Sequence, residues 1–117
     1  MHIPYIVARQ PTAVEFEILD ERRRQIFEEG WTEEHDDEHD ESELSLAAGV
    51  YALSGSSDSA LFDRARQDAI RELWPFQAHW FRPTGGRRDL IKAAALIIAE
   101  VERRDRAAAK AERKAQP

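Results

Sequence analysis

The chain has 117 residues, a formal net charge of −6 and a pI of about 5.2. That length suits one domain with a hydrophobic core of its own. The acidic balance disfavours broad binding to a phosphate backbone, which needs a net basic face. There is no cysteine, so disulfide frameworks and thiolate metal sites are ruled out. No apolar run approaches a membrane span, and "MHIPYIVARQP" lacks the basic start and long apolar core of a signal peptide. A cytoplasmic, reducing setting is the expectation. The charge is uneven: residues 33–43 are acidic, whereas 82–88 and 103–114 are basic.

Residues 1–10 are apolar enough, through Ile3, Tyr5, Ile6 and Val7, to pack as an extended arm. The first strong helix is predicted over residues 13–29. Thr12 and Glu15 have capping-box spacing, Gly30 suits the C′ position, and Val14, Ile18, Leu19, Ile26 and Phe27 fall near one face. A second helix is expected at about 41–53, with Leu44, Ala47, Ala48 and Tyr51 at helical spacing and Asp40 as its cap. "SGSSDS" (54–59) reads as a turn. A third helix runs from about 59 to 73, carrying Leu61, Phe62, Ala65, Ala69, Ile70 and Leu73, and Pro75 stops it. Residues 74–86, "WPFQAHWFRPTGG", form an aromatic loop punctuated by proline and glycine. The last helix starts near Arg87 and passes Glu102, with Leu90, Ile91, Ala94, Ile97, Ile98 and Val101 as a broad apolar face. The expected fold is all-α: a compact single domain of about four helices over residues 1–105, with a long aromatic loop before the last helix. A solvated or frayed tail should follow over 106–117.

Behind Gly30-Trp31 come eight carboxylates and two histidines, "TEEHDDEHDESE". His35 and His39 sit at i and i+4 and could chelate one metal ion if that stretch were helical. No named motif fits: there is no H-E-x-x-H, and the glycine of an EF-hand loop is missing. The competing reading is a capping, solvated acidic loop. Trp31 is either a core plug or a stacking wall for a planar ligand.

The most informative segment is "LWPFQAHWFRPTGGRRDLIK" (73–92). All three tryptophans, Trp31, Trp74 and Trp80, lie outside the helix interiors. Arg87 and Arg88 stand at a helix N-terminus, where the dipole disfavours cations. An anion bound there would explain them, with Arg82, Lys92 and free backbone N–H groups beside it. The alternative is that these arginines pair with the acidic stretch, Asp36 and Asp37 in particular. In the first reading Trp31, Thr32, Asp36, Asp37, Trp74, Trp80, Arg82, Arg87, Arg88 and Lys92 would line one pocket, with the acidic loop as a gate over the arginines. Aromatic planes beside guanidinium groups suit a nucleotide.

"ERRRQIFEEGWTEEHDDEHDESELSLAAGVYAL" and "WPFQAHWFRPTGGRRDLIKAAALIIAEVERRDR" resemble a group of small phage and prophage proteins. Their pattern is roughly ERxRQ…EGWTxEHDDxH…EL…AAxxYA…WPWxxxWWKPxxxRRxLvKAxALIiAEiERlDR. The resemblance covers about residues 21–106 and departs from the pattern at Phe76 and Phe81, where tryptophan is usual. The chain is more distantly similar to the ryanodine-receptor repeat domain, through Gly30-Trp31, Asp36-Asp37, His39 and the helix from Arg87. The Tyr-Gly after the tryptophan and the His-Pro element of that domain are missing. No activity is established for the phage group; the second resemblance implies a small-molecule binder, and in a phage setting the expectation is a protein in the cytoplasm of an infected or prophage-bearing bacterium that sequesters a nucleotide-derived immune signal.

That expectation carries no cofactor, no nucleic-acid polymer and no membrane partner, and leaves self-association open. The alternative is a small all-α metal-dependent nucleotide pyrophosphohydrolase. Glu38 and Glu41 offer one E-x-x-E spacing for it, without a convincing second pair.

Overall fold

The computed structural model describes residues 10–56 and 63–117. Residues 1–9 of the proposed N-terminal arm, the second half of the SGSSDS turn, Leu61 and Phe62 lie outside the described residues. Among the described residues five α-helices follow in order: α1 (Ala13–Phe27), α2 (Glu33–Asp37), α3 (Glu43–Gly55), α4 (Asp63–Leu73) and α5 (Gly86–Ala115), with a 3₁₀ turn at Ala78–Trp80. Among the described residues there is no strand, and no helix is long and apolar enough to cross a membrane. The all-α architecture expected from the periodicities is the one observed.

Helix α5 is the spine. At 30 residues it is about 45 Å long. Helix α3 packs along it, α1 and α2 dock beside it, and α4 lies on α3. The core holds Trp31, Leu44, Ala47, Ala48, Tyr51, Ala93, Leu96 and Ala99, with Trp74, Phe76 and Phe81 packed against it. The buried face of α5 is displaced from the one expected. Ile91 is buried as expected, but Leu90, Ile97 and Val101 are exposed, while Ala93, Ala95, Leu96 and Ala99 are buried. Ala93 and Ala99 share one core with Ala47 and Ala48 of α3, so small side chains rather than the larger aliphatics form the seam between the two helices. Beyond Arg103, α5 continues as helix to Ala115, with Arg106 and Ala109 the half-buried positions of an otherwise exposed tail.

The expected face of α1 is also corrected. Its capping box forms: Thr12 Oγ1 accepts from Glu15 N at 3.2 Å, and Glu15 accepts from Thr12 N at 3.0 Å. Yet Val14, Leu19 and Phe27 are exposed, Phe27 to 82%, and the buried residues are Glu21, Arg22 and Gln25. Charged side chains can be buried when each has a partner, and α5, α2 and α1 itself supply them. Glu21 accepts from Arg24 at 2.8 Å and from Arg88, and Arg22 donates to Asp36 at 2.8 Å.

The end of α3 meets the start of α5 at Gly55. A Cβ there would stand 2.6 Å from the Gly86 carbonyl oxygen and 3.0 Å from Leu90 Cγ. Backbone cannot yield as a side-chain tip can. Gly55→Ala is therefore expected to destabilise the protein by about 1–3 kcal/mol, read as a lower urea midpoint. An unchanged midpoint would show that the two helix ends do not meet so closely.

Candidate functional site

Gly30, at φ +75°, turns the chain out of α1 so that Trp31 N donates to Gln25 O at 3.0 Å. The indole drops into the core, 5% exposed. Thr32 then caps α2, its Oγ1 accepting from His35 N at 3.2 Å; this is a positional role. The short helix sets His35 against Trp31, with ring centroids 5.3 Å apart and 27° between planes. His39 follows one turn on, its ring 4.6 Å from that of His35.

The aromatic loop is tied to α3 and α5 at Arg82 and closed on itself by Trp74. Tyr51 Oη accepts from Arg82 N at 3.0 Å, Lys92 Nζ donates to Arg82 O at 2.7 Å, and Trp74 Nε1 donates to Gln77 O at 3.1 Å. Trp74 stacks obliquely on Phe81 at 5.0 Å and meets Phe76 edge-on at 5.6 Å. Phe76 in turn meets Trp31 at 5.6 Å and His39 at 5.1 Å. Burial pushes the Lys92 ammonium down from its ordinary value, against the raising charge of Asp89. Burial likewise pushes the Tyr51 phenol up.

Between α2 and this loop lies a cleft of about 390 Å³, lined by Glu29, Trp31, His35, His39, Pro75, Phe76, Gln77 and Trp80. Trp31 and Trp80 share it, and Trp74 supports it from behind Phe76. The guanidinium of Arg82 lies 5.6 Å over the Trp80 ring. No residue of α5 lines it, so the cleft opens away from the helix start where sequence reasoning set it.

The expected arginine site is not assembled in this structure. Arg87 makes a two-pronged pair with Glu17, both bonds 2.8 Å, and Arg88 pairs with Glu21. Both partners are on α1, so neither arginine contacts Asp36 or Asp37, and the acidic stretch does not gate them. The Arg87 guanidinium holds the Glu17 carboxyl below its usual range. The anion at the start of α5 is internal. Asp89 is fully buried and accepts from Thr84 N and Gly85 N at 2.9 Å, Thr84 Oγ1 at 3.1 Å and Ser54 Oγ at 2.7 Å.

The acidic stretch takes other partners. Asp36 is fully buried on Arg22. Asp37 is exposed and accepts from Arg106 at 2.8 Å. Asp37 and Asp40 share a groove with Arg103, Arg106, Lys110 and Arg113. The basic second half of α5, rather than Arg87 and Arg88, thus neutralises the stretch. Asp40 does not cap α3: the N-cap is Ser42, in a left-handed conformation at φ 73° with no side-chain cap bond. Instead Glu43 Oε1 accepts from Glu41 N at 2.7 Å.

Residues missed from the sequence are Glu29, Pro75, Phe76 and Gln77 in the cleft wall, and Glu21, Arg22 and Gln25 on the buried face of α1. The W-P-F run signals the first group, since a proline between two aromatics holds them at a fixed splay. The second group gives no periodic signal. Among the described residues, no group of three or more His, Asp or Glu side chains is arranged to hold a metal ion. Comparison with protein-family models, with curated proteins and with solved structures gave no match for this chain.

Proposed function

We propose that this protein binds a planar, nucleotide-like small molecule in the cleft between Trp31 and Trp80, acting as a binding protein. The observation that carries this reading is the cleft itself. It is aromatic on two sides, large enough at about 390 Å³ to fall in the range of small-molecule sites, and flanked by a guanidinium stacked on its outer wall. A base would stack on Trp80 and Phe76, and Arg82 would take a phosphate oxygen. In the phage setting that the resemblance suggests, such a site would serve to sequester a host nucleotide signal. Arg87 and Arg88 have no part in this version of the pocket, because α1 already occupies them.

Trp80 is 38% exposed, so Trp80→Ala removes a wall without opening the core. Calorimetric titration with a panel of mononucleotides and cyclic dinucleotides tests the reading. The wild-type protein is expected to bind at least one of them. Trp80→Ala should weaken that binding by about 1–3 kcal/mol, with an unchanged circular dichroism spectrum. Equal affinity of the two proteins would remove the cleft from the binding site.

A further inference from the structure

The two histidines present more than ring surface to the cleft. His35 Nδ1 lies 3.2 Å from Asp36 Oδ1, and His39 Nδ1 lies 3.2 Å from Glu43 Oε2. An ionised carboxylate only accepts hydrogen bonds, so each Nδ1 is the protonated nitrogen. In a neutral ring the lone pair is then on Nε2, across the ring from the carboxylate. Both carboxylates are themselves fixed. Asp36 is held by Arg22 at 2.8 Å, and Glu43 accepts the Glu41 N–H at 2.7 Å. The rings are held too, His35 stacked on Trp31 and His39 edge-on to Phe76. Two imidazoles 4.6 Å apart thus line one aromatic cleft, each with its acceptor nitrogen set by a carboxylate behind it.

We propose that His35 and His39 form a paired hydrogen-bond acceptor that selects a planar heterocycle bearing an exocyclic amino group. The inference rests on the cleft being the ligand site and adds which ligands it prefers. Stacking alone is indifferent to the identity of a base, since every base has a π face. Two fixed acceptors are not indifferent: an amino group satisfies them, whereas a carbonyl oxygen in the same place faces two lone pairs. Adenine and cytosine carry the amino group; hypoxanthine and uracil carry the carbonyl.

Two measurements test this. The first needs no ligand: long-range ¹H–¹⁵N spectra of the free protein, at a pH where both rings are neutral, should show the Nδ1–H tautomer at His35 and His39. The Nε2–H tautomer at either one overturns the proposal. The second compares AMP with IMP and CMP with UMP by calorimetry. The amino member of each pair is expected to bind at least about tenfold more tightly. The double variant His35→Phe/His39→Phe keeps both rings and should still bind, with that ratio reduced towards one. Equal binding within each pair by the wild-type protein overturns the acceptor pair and leaves the cleft reading standing. No binding of any nucleotide removes both. Stoichiometric zinc binding that is lost in the double variant would also overturn it, because a metal ion would occupy the same two lone pairs.

Discussion

Arg22→Met is expected to destabilise the protein by about 3–5 kcal/mol, the cost of leaving a buried charge without its partner. Asp36 is fully buried, and its Oδ2 accepts from Arg22 at 2.8 Å. Arg22 also donates to Trp31 O at 3.4 Å, so the guanidinium ties α1, the Gly30 turn and α2 together. Methionine fills much of the volume but gives the carboxylate nothing. Its Oδ1 keeps only the His35 contact at 3.2 Å. A cost of that size is a large fraction of the stability of a small domain, so the variant should unfold at much lower urea. The partnered change separates charge from packing. In Arg22→Met/Asp36→Leu no charge is stranded, and apolar replacement of a buried pair is often close to neutral. The double variant is therefore expected to be more stable than Arg22→Met alone, although His35 loses its carboxylate. If the double variant is the weaker of the two, the ion pair is not what holds α1 to α2.

That pair also shows where sequence reasoning reaches its limit. Helices α3 and α4 are legible from apolar spacing and a proline stop, and α5 is legible as a helix, although its buried face is turned from the one its large aliphatics mark. The α1 segment is legible as a helix by the same signals, above all its Thr12–Glu15 box, yet its inward face is not. Hydrophobic periodicity assigns Glu21, Arg22 and Gln25 to solvent, and although Arg24 stands three residues from Glu21, nothing within the segment says that Asp36 and Arg88 will meet them. Burial of a charge is decided by partners distant in sequence.

Trp31 and Trp80 are brought to one cleft as their positions at helix edges suggest. The arginines at the start of α5 obey the helix-dipole rule with partners from α1 in place of a bound ligand. A cation at a helix N-terminus calls for an anion, and the chain supplies its own in Asp89, Glu17 and Glu21. The partner of the acidic stretch was visible in the basic run 103–114, one long helix away. Only the length of α5 brings Arg103 and Arg106 back beside Asp37.

Asp89→Asn is expected to lower stability by about 3 kcal/mol at neutral pH and to flatten the acid side of the stability profile. Burial alone would raise the Asp89 pKa. The hydrogen bonds from Thr84, Ser54 and Gly85 overcome it and hold the carboxyl below its ordinary value. An asparagine can accept from one of the two backbone donors at 2.9 Å, but its amide nitrogen then faces another donor. The turn that launches α5 would lose its anchor to Ser54 or to Thr84. The sign of the pH effect follows from the lowered pKa. Above about pH 4 the group is ionised in folded and unfolded chains alike, and its full contribution is present. As the pH falls below that value the unfolded chain takes up its proton first, so stability declines until the folded-state pKa is passed. Glu21 and Glu100 act in the same direction. Burial opposes the lowering at Glu21, where bonds from Arg24 prevail, and bonds from Arg103 and Arg104 hold Glu100 down. The wild-type urea midpoint should therefore drop steeply between pH 5 and pH 3. Asp89→Asn should start lower and drop by less, while the exposed control Asp20→Asn should follow the wild-type curve within about 1 kcal/mol. A variant curve parallel to the wild type across that window would mean that Asp89 is not the carboxylate whose ionisation holds the start of α5 in place.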